Sequence, residues 1–254
     1  MKIRFLGTGT SQGIPVIGCS CEVCKSLDFR DKRFRTSVHI ELNGKSIVID
    51  TGPDFRMQML RAGITHLDAV LFTHEHKDHT AGLDDIRPFN FRQNRDMPVF
   101  GRAQVIEQIK QEFSYIFSEV KYPGVPRVIT HVIDHTPFEV EGIRVTPIPV
   151  MHNKLPVLGF RIGEFTYITD ANFISEESKK LIRGSRILVL NALQKTPHQS
   201  HFTFDEAIEQ VSSLNVNEAY FTHISHKLGL HQEVEKELPE GIHLAYDGLV
   251  LNLP

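Results

Sequence analysis

Hydrophobic positions in this chain recur mostly at alternate residues, in short runs separated by turn residues. Residues 2–6 alternate as a short strand, which Gly7-Thr8-Gly9-Thr10 ends. Residues 36–41 and 45–50 flank Leu42-Asn43-Gly44. An Asn-Gly pair between alternating apolar runs is a strong hairpin signal, because a tight hairpin turn needs residues that accept positive φ. The apolar run 69–72 is short enough for a buried strand. Residues 97–100, 187–190 and 218–222 are further strand candidates. Residues 128–150 alternate over a longer stretch, broken at Thr136-Pro137 and Glu141-Gly142, and 157–161 pairs with 165–169 around Gly163-Glu164. The last strands fall around 243–244 and 249–251.

Helical spacing takes over between these runs. Residues 54–62 follow Pro53, which suits a first helical turn. Over 103–117, Val105, Ile109, Phe113 and Phe117 form one apolar face, assigned to the core. Ser175 caps a helix over 175–182. Thr203 caps another, and Glu206 three positions on completes a capping box. A last helix spans roughly 231–237. The pattern reads as an α/β or α+β sheet protein with helices outside, whose sites form at strand ends.

Chemistry is densest in residues 67–82, LDAVLFTHEHKDHTAG. After the apolar run come His74, His76, Asp78 and His79. Strand side chains repeat every two residues, so His74 and His76 can point to one side. Imidazole and carboxylate suit a divalent cation such as zinc or manganese. Similar groups end other apolar runs: His152 after Pro149-Val150-Met151, Asp170 after 165–168, and His223 after 218–222. Asp170 has the position for a bridging carboxylate. Asp50 ends a buried strand and could either orient a ligand imidazole or cap the helix behind Pro53. Asp84 and Asp85 follow the cluster too closely to count as further ligands. Arg87, Arg92 and Arg95 could offer guanidinium groups to a phosphate, although a solvated surface role is the ordinary one for each. His198 and His201 lie in the loop before the Thr203 helix.

The chain has three cysteines, Cys19, Cys21 and Cys24, spaced C-x-C-x-x-C in one loop. Three thiols this close can share one ion if a fourth ligand completes a tetrahedron. An odd, clustered set argues against a disulfide framework. With 254 residues, 41% hydrophobic and 23% charged, the chain is sized for one α/β domain over residues 1–254. There is no apolar run of membrane-spanning length and no segment like a signal peptide, so the expected location is cytoplasmic. The formal net charge of -3 lacks the basic excess of a protein held on nucleic acid by phosphate neutralisation. A nucleic-acid partner is therefore not favoured. No internal repeat is visible.

HEHKDH resembles the H-x-H-x-D-H signature of the metallo-β-lactamase superfamily. The resemblance runs essentially the whole length of the chain. It implies a four-layer αββα sandwich: two mixed sheets face to face with helices on both outsides. It also implies two divalent ions, zinc or manganese. His74, His76 and His152 would hold the first, and Asp78, His79 and His223 the second, with Asp170 bridging. Within the superfamily, GTGTSQGIPVIGCSCEVC, GLDDIRPF, HFTFDEA and FTHISHK resemble the phosphodiesterases that hydrolyse phosphoribosyl cyclic phosphate in the carbon–phosphorus lyase pathway. That match implies a structural zinc on Cys19, Cys21, Cys24 and His226, with His231 as a second choice for the fourth ligand. It likens His201 to a histidine beside the leaving group, His198 being the weaker candidate. It further implies a small phosphodiester substrate, a two-metal-activated hydroxide with Asp78 holding its proton, and allows a homodimer.

Ribonuclease Z-like tRNA 3′ processing ranks second. That family usually carries a long arm between the positions matched by His152 and Asp170, which here lie 18 positions apart (170 − 152). A glyoxalase-type thioester hydrolase ranks third. A metal- or nucleic-acid-binding module without activity is remote, because all seven ligand positions are filled.

Overall fold

The structure, a computed structural model, describes residues 1–120 and 122–254. Strands β1 (Lys2–Gly7), β2 (Ser37–Leu42), β3 (Lys45–Ile49), β4 (Ala69–Leu71), β5 (Met97–Gly101) and β6 (Val128–Val132) build a first sheet. A second holds β7 (Phe138–Val140), β8 (Ile143–His152), β9 (Leu155–Ile162), β10 (Phe165–Tyr167), β11 (Ile187–Asn191), β12 (Glu218–Thr222) and β13 (Ile242–Leu244). The last strand, β14 (Val250–Asn252), crosses back to the first sheet beside β1. Asn43 and Gly44 take φ of 51° and 73° in the β2–β3 turn, as the Asn-Gly signal requires.

Both sheets follow one plan. In the first, β14–β1, β1–β2 and β2–β3 are antiparallel, and β3–β4, β4–β5 and β5–β6 are parallel. In the second, β7–β8, β8–β9 and β9–β10 are antiparallel, and β10–β11, β11–β12 and β12–β13 are parallel. The sequence shows no repeat, yet the halves repeat in strand order and direction.

Period-two alternation divides the apolar side chains among three layers. Ile47 and Ile49 of β3 face the inter-sheet core, while Val48 faces the helices outside. On β11, Ile187 and Val189 point inward and Leu188 and Leu190 outward. Phe55, Val105 and Ile109, from helices Phe55–Ala62 and Ala103–Glu112, close the outer face of the first sheet. Ile182, Phe204 and Val211, from Glu176–Ile182 and Phe204–Leu214, close the outer face of the second. The result is the expected αββα sandwich. No described helix is long and apolar enough to cross a membrane.

Two expectations need correction. The 103–117 helix is broken: it stops at Glu112, Phe113 takes φ −108° and ψ 40°, and a separate turn runs Ser114–Phe117. The break lets both Phe113 and Ile116 enter the layer against the first sheet. The helix behind Pro53 runs Phe55–Ala62, one residue shorter than 54–62, and the Asp54 carboxylate before it is taken by the Arg35 backbone N–H and guanidinium.

Candidate metal centre

The metal-type side chains reach one place because the strand ends of both sheets meet there. Beyond β4, residues 72–76 lead into the short helix Lys77–Thr80, which carries Asp78 and His79. His152 ends β8. Asp170 and His223 follow β10 and β12 with left-handed backbones, φ 53° and 55°, which turn the chain at the sheet edge. Glycine makes the close approach around Asp78 feasible. A Cβ on Gly52 would stand 2.1 Å from the Asp78 carbonyl oxygen, and one on Gly82 would stand 2.1 Å from the Gly52 oxygen.

Ring centroids lie 4.6 Å apart for His74–His76, 4.2 Å for His74–His79 and 5.2 Å for His76–His152. His201 sits 4.5 Å from His152 and stacks on His223 at 4.7 Å. Ligand atoms of His74, His79 and Asp170 lie within 4.8 Å of one another. The same holds for Asp78, His79 and His223, and for His152, Asp170 and His201. Shared members join these groups into one cluster. His76 is outside these tight groups and belongs by ring proximity alone.

The buried nitrogens decide whether this set fits a cation. Nε2 of His74, Nε2 of His79, both ring nitrogens of His223 and Nδ1 of His201 are buried without a hydrogen-bond partner. Leaving such atoms unsatisfied costs about 1–3 kcal/mol each. Yet His79 Nε2 lies 3.2 Å from an oxygen of both Asp78 and Asp170, and His223 Nε2 lies 3.2 Å from Asp170 Oδ1. Imidazole nitrogens and carboxylate oxygens that converge without bonding one another are the donor set that divalent cations take. The residues fit the divalent ions that the family resemblance implies.

Asp50 organises the first-sheet side. Its Oδ2 accepts the His79 Nδ1 proton at 2.8 Å and the Thr73 hydroxyl at 2.8 Å, and its Oδ1 accepts the Thr73 backbone N–H at 2.9 Å. Thr73 Oγ1 in turn accepts from His74 Nδ1 at 3.0 Å. Both imidazoles therefore keep their Nε2 lone pairs free. Of the two roles open to Asp50, the structure shows the orienting one, since the carboxylate is fully buried and committed to these groups. On the second-sheet side, His152 Nδ1 donates to the Ser200 carbonyl at 2.7 Å.

Charge follows geometry. Burial works to raise the carboxyls of Asp78 and Asp170, but the imidazoles of His79 and His223 outweigh it and hold both well below the usual range. Burial works to lower His79, but Asp78, Asp170 and Asp50 outweigh it and push it well up. Burial and His79 push His74 well down. Burial, then His223, takes His201 to about 3, so its ring is neutral at ordinary pH.

A second cluster stands nearby. His226 Nδ1 lies 3.4 Å from the sulfurs of Cys19 and Cys21 and 3.6 Å from that of Cys24. A tetrahedral zinc with Zn–S of about 2.3 Å and Zn–N of about 2.0 Å separates sulfur from nitrogen by about 3.5 Å. The four atoms are spaced to share one ion. The backbone N–H of Cys24 and the His226 ring draw the Cys21 thiol down to about 6, while burial pushes Cys24 up to about 11. His231, the second choice, is not in this group. Its ring meets the buried Arg33 at 3.1 Å, and its backbone N–H goes to Asp31.

The arginines stay apart from the metal cluster. Arg87 pairs with Asp84, Arg95 with Glu141 and Asp68, and Arg92 lines a groove behind the Phe55–Ala62 helix. His198 is exposed, 5.1 Å from His201. Sequence reasoning missed Thr73 and Asn191. Asn191 clamps the residue after Asp170, its amide bonding Ala171 N–H at 2.8 Å and Ala171 C=O at 2.9 Å. Its signal was a polar residue closing an apolar run, the same signal that marked the ligands.

Residues 45–224 match the family described as Beta-lactamase superfamily domain. An octanoyltransferase of Porphyromonas gingivalis is 42% identical over 252 residues, covering 98% of this chain but 51% of that protein. The chain thus spans about half the length of the curated relatives it matches. The solved structure of a diphosphatase from the PhnP family superposes with a TM-score of 0.93 at 40% identity, covering 100% of this chain and 98% of that one. Human tRNase Z, short form, shares the fold with a TM-score of 0.75 at 18% identity, each chain fully covered. The chain belongs to the beta-lactamase superfamily and carries the metallo-β-lactamase fold, similar along its whole length to the PhnP-family structure.

Proposed function

We propose that this protein is a dinuclear metal-dependent phosphodiesterase acting on small phosphodiesters. The observation that carries this reading is the convergence of unpartnered imidazole nitrogens on Asp78 and Asp170. His74, His76 and His152 would hold one divalent ion, zinc or manganese, and Asp78, His79 and His223 the other, with Asp170 between them. Cys19, Cys21, Cys24 and His226 would hold a structural zinc. Bound divalent ions supply Lewis acidity and a water of lowered pKa. The chain's residues supply the rest. Asp50 and Thr73 fix the tautomers of His79 and His74. Asp78, less buried than Asp170, would take the proton of the attacking water. His201, a neutral ring against His223, presents an N–H for the leaving oxygen.

A second reading keeps the chemistry and changes the bond. The PhnP-family relative is described as a diphosphatase, which favours a phosphoanhydride diester. Metal counting with parallel assays of a ribose cyclic phosphate, a dinucleoside diphosphate and a precursor tRNA separates the possibilities. About three metals per chain with cleavage of either small diester supports the proposal. Cleavage of the tRNA alone moves the function to RNA processing, and no cleavage sends the search to thioesters.

A further inference from the structure

Two residues of different clusters share one short segment. His223 belongs to the imidazole–carboxylate cluster, and His226, just beyond it, to the cysteine cluster. The segment follows β12 and is gripped from two sides. Ile224 bridges Gly9: its N–H donates to the Thr8 carbonyl at 2.9 Å, and its carbonyl accepts the Thr10 N–H at 3.1 Å. Ser225 N–H donates to the Leu193 carbonyl at 3.0 Å. From there the bonds run on, Leu193 N–H to the Phe202 carbonyl at 3.0 Å and Phe202 N–H to the Ala171 carbonyl at 2.8 Å. Phe202 follows His201 in the chain, and Ala171 follows Asp170. The backbone of 223–226 is therefore tied to both sides of the imidazole–carboxylate cluster.

His223 differs from its neighbours in how its ring is held. Nδ1 of His79, His74 and His152 is committed to Asp50, Thr73 and the Ser200 carbonyl respectively. Metal-ligating imidazoles are ordinarily oriented by such a partner. Among the described residues neither nitrogen of His223 has one, although the side chain is buried. Its ring stacks on His201, whose Nδ1 is also unpartnered. The aim of His223 thus depends on where its backbone is held. That backbone is left-handed, φ 55°, a conformation a non-glycine residue keeps only where its surroundings fix it. Upstream the anchor is β12. Downstream it is His226, whose Nδ1 lies 3.4–3.6 Å from three sulfurs. A ligand that is in place only part of the time lowers apparent affinity by that fraction.

We propose that His226 is a positioning residue for the imidazole–carboxylate centre: tied to an ion on the cysteines, it fixes the 223–226 segment and with it the aim of His223. The two centres then bind their ions cooperatively. The inference rests on the two ligand sets proposed above. Manganese and cobalt separate the sites, because manganese favours carboxylate and imidazole over thiolate. Manganese is titrated into metal-free protein, with free ion read by electron paramagnetic resonance, before and after one equivalent of cobalt. The cobalt–thiolate absorption band reports that cobalt sits on the cysteines. Cobalt should lower the manganese Kd about tenfold, and saturating manganese should tighten cobalt by the same factor, because coupling is reciprocal. A cysteine cluster that only stabilises the fold would leave both affinities of the folded chain unmoved. His226→Ala, with three thiolates left to take cobalt, should show the band without the gain in manganese affinity. His226→Cys, which restores a fourth ligand at that position, should recover the gain. A wild-type manganese Kd that cobalt changes by less than about twofold overturns the proposal, and so does a His226→Ala chain that keeps the full gain. The wild-type titrations decide the matter even where a variant misfolds. Manganese bound but indifferent to cobalt sinks the coupling alone, whereas no manganese binding, or no thiolate band, sinks the proposed ligand sets along with it.

Discussion

Asp50 would touch neither bound ion, yet it holds His79 directly and His74 through Thr73. Asp50→Asn keeps the size, removes the charge and replaces one acceptor with a donor. Metal affinity of the active-site pair should fall about 10- to 100-fold. Competition with a chelating dye would show it, and binding unchanged from wild type would remove Asp50 from this role. His201→Ala should cost about 10²–10⁴ in turnover with metal content retained. If an ion is lost instead, His201 is a ligand, which its grouping with His152 and Asp170 permits. His39 tests a site far from both centres. Buried, with Nε2 2.7 Å from Ser46 Oγ, it is pushed by burial from 6.5 to about 4. The unfolded chain therefore takes its proton first as pH drops. The stability tied to His39 is complete above pH 6.5 and shrinks toward pH 4, by about 3 kcal/mol at most. Chemical denaturation across that window should show a flatter slope in His39→Gln. Residues of this kind were only partly legible in the sequence. His74, His76, Asp78 and His79 announce themselves by density, and Asp50 by its place at a strand end. Thr73 and Asn191 do not, because their roles depend on hydrogen bonds to neighbours brought in by the fold.

At the scale of the element, local chemistry was readable where it is self-contained. The Asn43-Gly44 hairpin and the Thr203–Glu206 capping box depend on a few adjacent residues, and both formed as written. Thr203→Ala should cost about 1 kcal/mol and lower Tm by roughly 2–4 °C, read by calorimetry. The helix break at Phe113 was not legible, because a helical apolar stripe looks continuous until the sheet beneath decides which rings it can accept. The left-handed turns at Asp170 and His223 were hidden for a different reason: neither residue is a glycine. Gly52 makes a matching test. Gly52→Ala would set a methyl 2.1 Å from the Asp78 carbonyl, so the Lys77–Thr80 segment would have to shift. The expected cost is about 1–3 kcal/mol in urea unfolding, with weaker metal binding.

The whole molecule is two copies of one strand plan joined face to face, and each candidate centre draws ligands from both halves. His74, His76, Asp78 and His79 come from the first, and His152, Asp170 and His223 from the second. The cysteine cluster also straddles the divide, with three thiols from one half and His226 from the other. The inter-sheet core, with Phe5, Phe160, Phe165 and Tyr167 fully buried, holds the halves together, and Thr36 Oγ1 adds hydrogen bonds across them to Tyr167 at 3.0 Å and Thr222 at 2.9 Å. The ions of the proposed ligand sets would add clasps that exist only in the folded state, and such ligands stabilise by mass action. For a cell short of zinc or manganese, the consequence concerns supply more than catalysis. A chain without its clasps opens more often along the sheet interface and presents itself to proteases, so metal scarcity should show first as a falling amount of protein. Immunoblotting during chelator treatment, with synthesis blocked, would follow that decline. A steady level with lost activity would mean the halves hold without their ions.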